Sequence, residues 1–203
     1  MKIIQRLQKK NKLLDLCVVG LGNPGSKYNR TRHNAGYDFL DRILDIKSLS
    51  LENSKKIDAQ YAEVSIGDLT VGFVKPNEFI NLSGKTMSLL KKYKVKTTED
   101  ILVIHDDMDL KPGEVKLKIG GGHAGHNGLR DIHNNVGENF VRLRFGIGHP
   151  SDKKQTNTWV TKKPTPAEKR GLSFAFEKCE SCLDDLLMKK WLIVMNKLHS
   201  NEH

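Results

Sequence analysis

Apolar and polar positions alternate along the chain in blocks that predict strands and helices in turn. Leu16–Gly20 is a short uninterrupted apolar run, as expected of a strand buried on both faces. Asn34–Ile46 carries apolar residues at Tyr37, Leu40, Ile43 and Leu44, the spacing of one helix face. Ala59–Ile66 and Leu69–Val74 alternate with period two and meet at Gly67-Asp68, a hairpin turn signal. Leu82–Tyr93 predicts an amphipathic helix with lysines outward, and Ile101–Ile104 a second buried strand. Val115–Ile119 alternates apolar residues with lysine, Leu129–Val136 is a short helix, and Val141–Gly148 a further strand. A polar stretch, Pro150–Pro166, reads as a loop and leads into helical sequence from about Ala167 to Leu198. Strands interleaved with helices predict an α/β fold, and the hairpin makes its sheet mixed. The expected architecture is a single globular domain, a twisted mixed β-sheet flanked by helices.

Composition narrows this further. At 203 residues the chain is of one-domain size and long enough to bury a full core. No apolar run approaches the ~18–20 residues of a membrane-spanning helix. The net charge of +10 favours an acidic partner, with nucleic acid among the candidates. Three cysteines do not read as a disulfide framework, and Cys179-Glu-Ser-Cys182 lacks a second ligand pair. A reducing, cytoplasmic setting is expected. Residues 1–15 hold five basic residues and one acid, without the apolar core of a secretory signal. Residues 1–14 are therefore set apart as a basic extension with helical character, ahead of a domain spanning 15–200.

Two glycine loops invite chemical readings. Gly20-Leu21-Gly22-Asn23-Pro24-Gly25 follows a strand and matches half of the dinucleotide-binding fingerprint. The other half is a helix opening inside the motif, and here polar residues through His33 intervene. The alternative is a tight loop presenting Asn23 and His33. Gly120–Gly128 holds five glycines in nine residues, with His123 and His126 at HxxH spacing. With Asp106 these histidines form one conceivable metal set, though no H-E-x-x-H helix accompanies them.

No G-x-S-x-G elbow is present. What remains is a histidine, an aspartate at a strand's carboxyl end, and the amides of Asn23, Asn81 and Asn127. His with Asp suits general-base activation of water, and asparagine amides suit a developing oxyanion. Each residue also has a structural reading: Asn81 as a helix cap, Asp106 as a strand terminator. Spacing alone leaves the hydrolase, nucleotide-binding and metal readings open.

Five segments together resemble a known family: Val18–Gly36 (VVGLGNPGSKYNRTRHNAG), Lys75–Gly84 (KPNEFINLSG), His105–Leu110 (HDDMDL), Pro112–Gly128 (PGEVKLKIGGGHAGHNG) and Arg142–Asp152 (RLRFGIGHPSD). In this order they resemble the bacterial-type peptidyl-tRNA hydrolases, across residues 15–200. The resemblance implies hydrolysis of the ester between a peptide, or an N-blocked aminoacyl group, and tRNA, recycling tRNA lost from ribosomes. It implies His33 as general base, Asp106 as its orienting partner, and Asn23 as the residue that contacts the peptide. Tyr28 and Phe79 would line the cleft, Asn81 would bind substrate near the ester, and Asn127 would stabilise the oxyanion or place the water. Lys118 and Arg144 would grip a tRNA phosphate. No cofactor or metal is expected. The implied partner is peptidyl-tRNA, with no membrane, and the implied state a cytoplasmic monomer. The stretch Lys153–Pro166 falls where the family has a mobile loop. Two departures stand out: Ile80 where the family usually has methionine, and Asn77-Glu78 where it has smaller hydroxyl residues, Glu78 adding negative charge near the cleft. The competing readings are a non-catalytic, splicing-factor-like RNA-binding protein on the same scaffold, and a metal-dependent hydrolase using His123, His126 and Asp106.

Overall fold

In a computed structural model, which describes residues 13–200, the apolar run Leu16–Gly20 (β1) lies near the middle of a seven-stranded sheet. The other strands are β2 (Glu52–Ser54), β3 (Ala59–Ile66), β4 (Leu69–Pro76), β5 (Ile101–Asp107), β6 (Val115–Ile119) and β7 (Val141–Gly146). Their order is β2-β3-β4-β1-β5-β7-β6. The central β4, β1, β5 and β7 run parallel, and antiparallel pairing adds β3 and β2 at one edge and β6 at the other. The sheet is mixed, as expected. The turn at Gly67-Asp68 closes on the Ile66–Leu69 pair, with Gly67 at φ 58°.

Seven helices complete the described residues: α1 (Ala35–Ile46), α2 (Ser83–Tyr93), α3 (Asn127–Val136), α4 (Thr156–Thr161), α5 (Pro166–Glu180), α6 (Leu183–Leu187) and α7 (Trp191–His199). They form two layers because both faces of the central strands are apolar. Leu16 and Val18 of β1 point into one core with Phe39 of α1, Phe176 of α5 and Val194 of α7. Cys17 and Val19 point into the other with Met87 and Leu90 of α2 and Leu129 and Ile132 of α3. A strand covered on both sides needs no polar alternation, which is why β1 reads as a continuous run.

Three expectations are corrected. Pro150–Pro166 is not all loop: α4 forms within it although Thr-Asn-Thr-Trp-Val-Thr is a poor helix sequence. Tertiary contacts hold it, since Val160 is buried and the Trp159 indole N–H donates to the Gly148 carbonyl at 2.9 Å. The C-terminal helical stretch is broken into three, the second break falling at Lys189, whose φ of 59° is outside the helical region. The three-residue edge strand β2 was not foreseen, its polar sequence Glu-Asn-Ser carrying no strand signal. The helix expected in the basic extension lies outside the described residues. Leu14 already belongs to the fold, buried and donating its N–H to the Lys94 carbonyl at 2.7 Å.

Candidate active site

β1 has β4 on one side and β5 on the other, so the chain reverses its direction of winding around it. Open α/β sheets bind ligands outside the carboxyl ends of strands at such a point. The segments leaving β1, β4 and β5 converge there. The chain from β1 passes through the first glycine loop and a 3-10 turn, Arg32–Asn34, directly into α1. Its glycines are spacers. A Cβ on Gly36 would sit 2.2 Å from the Ile104 carbonyl oxygen, and one on Gly22 2.6 Å from the Tyr37 ring. Bare backbone lets the start of α1 rest against β1 and β5. No helix opens inside the motif, so a pyrophosphate cradle is not built.

This approach places His33 beside Asp106, the sixth residue of β5. His33 Nδ1 lies 2.9 Å from Asp106 Oδ1 and 3.1 Å from Oδ2. Both are buried, at 8 % and 2 % exposure. An ionised acceptor requires the ring to donate from Nδ1, which leaves Nε2 as the basic nitrogen. His33 also lines the adjoining cleft. Burial pulls the His33 imidazole down, but the Asp106 charge and hydrogen bond pull it up further, and the net direction is up from 6.5. Burial likewise opposes charge on Asp106, yet the charges and hydrogen bonds of His33 and His126 hold it well below the ordinary carboxylate range. The pair is a base with a permanently ionised partner.

Asn23 follows β1 and is 7 % exposed. Its backbone N–H donates to Asn34 Oδ1 at 2.8 Å, and Asn34 Nδ2 donates back to the Asn23 carbonyl at 3.0 Å. The Ile80 N–H, from the segment after β4, donates to Asn23 Oδ1 at 2.9 Å. With Oδ1 engaged, the Asn23 amide has its NH₂ left for the cleft. That cleft encloses about 540 Å³. Its walls include Asn23, Tyr28, His33, Phe79, Asn81 and Asn127, with Arg130 and Asn134 from α3 and Asn157 and Thr161 from α4. Tyr28 and Phe79 meet edge to face at 6.0 Å.

The peptidyl-tRNA hydrolase family model matches residues 17–203. This chain belongs to the peptidyl-tRNA hydrolase family. It is similar to the peptidyl-tRNA hydrolase of Mannheimia succiniciproducens, 42 % identical over 186 residues that cover 90 % of this chain and 95 % of the relative. The enzyme of Teredinibacter turnerae is 43 % identical over 185 residues, covering 90 % and 96 %. The crystal structure of peptidyl-tRNA hydrolase from Acinetobacter baumannii superposes with a TM-score of 0.87 at 36 % identity, covering 93 % of this chain and 97 % of that one. These matches lend the non-catalytic splicing-factor-like reading no support.

Within this peptidyl-tRNA hydrolase fold, the residues singled out by sequence fall into two groups. His33, Asn23, Tyr28, Phe79, Asn81 and Asn127 line one cleft, with Asp106 directly behind His33. Lys118 and Arg144 are not among the cleft's lining residues. They lie on β6 and β7, where Lys118 faces Arg142 and Lys116 faces Arg144 across the ladder, making one basic face. Arg144 Nε donates to Asp107 Oδ2 at 2.7 Å. Buried Arg142 donates to the carbonyls of Gly120 and Gly122, so this face braces the glycine loop that leads to Asn127. The charge of Glu78 does not stand alone, since Oε1 pairs with Lys85 Nζ at 3.1 Å. Ile80 contributes its backbone: the N–H fixes Asn23 and the carbonyl accepts from Ser83 Oγ at 2.8 Å.

The metal set of His123, His126 and Asp106 is not assembled. His123 Nδ1 accepts the Gly125 N–H at 3.1 Å and its ring lies against His133, 5.7 Å between centroids. The histidine that joins Asp106 and His126 is His33. Sequence reasoning also passed over Asn34 and Arg32. The buried Arg32 guanidinium stacks 3.7 Å above the Trp159 ring and bonds to Glu168 Oε2 at 2.6 Å and to the carbonyls of Trp159, Lys162 and Lys163. The R-H-N run beside the base was the available signal: three consecutive polar residues, all buried in a turn.

Proposed function

We propose that this chain hydrolyses the ester linking a peptide, or an N-blocked aminoacyl group, to the terminal ribose of tRNA, with His33 as general base. The observation that carries the reading is the His33–Asp106 hydrogen bond, which holds Nδ1 as a donor and leaves Nε2 basic in a cleft lined by asparagine amides, those of Asn23, Asn81 and Asn127 among them. His33 Nε2 takes a proton from water as the water oxygen bonds to the ester carbonyl carbon. Asp106 stabilises the imidazolium that forms, in the manner of other His-Asp pairs. N–H groups of Asn127 and Asn81 receive the oxyanion. The tetrahedral intermediate collapses with loss of the ribose oxygen, which takes the proton from His33, releasing free peptide and tRNA. Asn23, its Oδ1 already engaged, donates to a carbonyl of the peptide and favours blocked over free aminoacyl groups. Lys118 and Arg144 neutralise RNA phosphate. Glu78, paired to Lys85, leaves the cleft accessible to an anionic substrate.

Peptidyl-tRNA is the partner and the chain works as a cytoplasmic monomer, residues 15–200 forming the catalytic unit. No described helix is long and apolar enough to cross a membrane. The test is release of labelled N-acetyl-aminoacyl groups from tRNA, run beside free aminoacyl-tRNA and with EDTA present. Rapid cleavage of the blocked ester alone, abolished in His33→Ala with tRNA binding within a few-fold, is the expected result. Binding without turnover, or full activity in His33→Ala, would overturn it.

A further inference from the structure

Asp106 has a second ring on it. His126 Nε2 lies 3.1 Å from Asp106 Oδ1, the same oxygen that His33 approaches. The tautomer of His126 is settled by its other nitrogen. Nδ1 accepts the backbone N–H of Leu129 at 3.2 Å, because His126 is the N-cap of α3. An N–H can only be received by a lone pair, so the ring proton sits on Nε2 and is donated to Asp106. The ring is held from its sides as well, 5.0 Å from His33 and 5.2 Å edge-on to His105. His105 donates its own Nδ1–H to the Asp106 carbonyl at 2.6 Å and is kept uncharged by burial and by the nearby His126.

We propose that His126 is a positioning residue of the hydrolytic centre, acting through Asp106 to hold the carboxylate in the orientation that fixes His33. The proposal rests on the reading of His33 as general base. Two N–H groups converge on one carboxylate oxygen, one from the turn before α1 and one from the start of α3. A carboxylate pinned by His33 alone is free to swing about its own Cα–Cβ bond and carry the base with it. With His126 in place the swing breaks a hydrogen bond, and the base stays aimed at the cleft. Because His126 precedes Asn127 in the chain, the same turn sets the orienting donor and an amide of the cleft wall.

The arrangement has a second consequence. A donor on Asp106 shares its negative charge and so tempers its pull on the His33 proton. Removing that donor leaves Asp106 a stronger acceptor, and His33 holds its proton to higher pH. The other ionisable groups around the same small cavity are Asp107, tied to Arg144, and His123. Neither bonds His33.

Two substitutions separate the two nitrogens of His126. In His126→Asn the side-chain oxygen replaces Nδ1 and keeps the α3 cap, but nothing reaches Asp106. In His126→Gln the terminal amide reaches as far as Nε2 and retains the donor. Two quantities are read for each: kcat/KM against pH, and the ionisation of His33 itself, followed by ¹⁵N NMR of labelled imidazole. His126→Asn is expected to move the acidic limb and the His33 titration up together by about half a unit to one unit. The plateau should fall about tenfold to a hundredfold, the loss that a misplacement of about 1 Å brings. His126→Gln is expected to restore most of both. The proposal is overturned if the His33 titration in His126→Asn matches the wild type, or if His126→Asn keeps the wild-type rate while His126→Gln loses it, the mark of a purely structural cap. Should His126→Asn not fold, a wild-type His33 titration and plateau in His126→Ala, with the α3 cap lost, would equally overturn it. The NMR readout needs no turnover. A failed general-base assignment, seen as activity surviving in His33→Ala, is therefore distinguishable from a failed coupling between His126 and His33.

Discussion

Asp106→Asn tests the hydrolytic centre most directly, since it keeps the size of a fully buried side chain and changes its hydrogen-bonding character. The carboxylate accepts from two rings, His33 at 2.9 Å and His126 at 3.1 Å. An amide offers one acceptor oxygen and two N–H groups. Both rings approach Oδ1, but His33 Nδ1 also lies 3.1 Å from Oδ2, so either orientation of the amide sets an N–H against His33. Accepting that N–H makes Nδ1 the acceptor and moves the ring proton to Nε2, and the nitrogen facing the cleft can then no longer take a proton from water. General-base assistance is worth about 10²–10⁴ in rate, or about 3–5 kcal/mol of barrier, and most of it should be lost. Single-turnover release of the N-acetyl-aminoacyl group, with tRNA binding measured alongside, reads this directly. The residual activity should also shift in pH. In the wild type Asp106 raises His33 above 6.5 against the effect of burial. The acidic limb of kcat/KM therefore lies above that value, and activity falls as pH drops through it. With the charge gone, burial prevails and the limb moves down. A variant within about threefold of wild type across the profile, or one whose limb stays in place, would refute the orienting role. Stability carries the same signature with opposite signs. Asp106 is held below its ordinary 3.8, so its contribution is present above that pH and is lost as pH falls toward the folded value. His33 is raised, so its contribution is full below 6.5 and is lost as pH rises through the folded value. Urea unfolding of Asp106→Asn should show a flatter acid dependence than the wild type.

Lys118→Ala should weaken tRNA binding at low salt and reduce the slope of log K against log salt by about one; an unchanged slope would count against a phosphate contact. Arg32→Ala should cost about 3–5 kcal/mol, because it leaves Glu168 without its cation and the Lys163 carbonyl without its donor and strips the guanidinium from the Trp159 face, and Trp159 emission should shift to the red as α4 loosens; urea unfolding monitored by that emission checks both. Gly36→Ala should cost at least about 3 kcal/mol, since the new Cβ meets the backbone of Ile104 and Leu21 with no flexible side chain to give way; a loss below about 1 kcal/mol would mean that α1 does not need this close approach.

The sequence by itself determined the elements whose signal is local and the residues whose spacing is a signature. The apolar runs of β1 and β5, the two-residue turn at Gly67-Asp68 and the amphipathic faces of α1, α2 and α3 each follow from periodicity, because a strand or helix face is defined by positions a few residues apart. The five motifs likewise carried His33, Asp106 and the three asparagines. What only the tertiary structure decided is every relation across long sequence separation. His33 and Asp106 are 73 residues apart in sequence, and only the parallel ladder of β1 with β5 and the bare backbone of Gly36 bring them together. α4 has no helical periodicity of its own and exists because Trp159 lies under Arg32, 127 residues away from the carbonyl that Arg32 binds. His126 read as half of an HxxH pair, and its actual partner is a carboxylate 20 residues earlier in the chain. Local pattern encodes which face of an element is apolar. The partner of a polar side chain is set by the geometry of packing, and that geometry is a property of the whole sheet and its two layers.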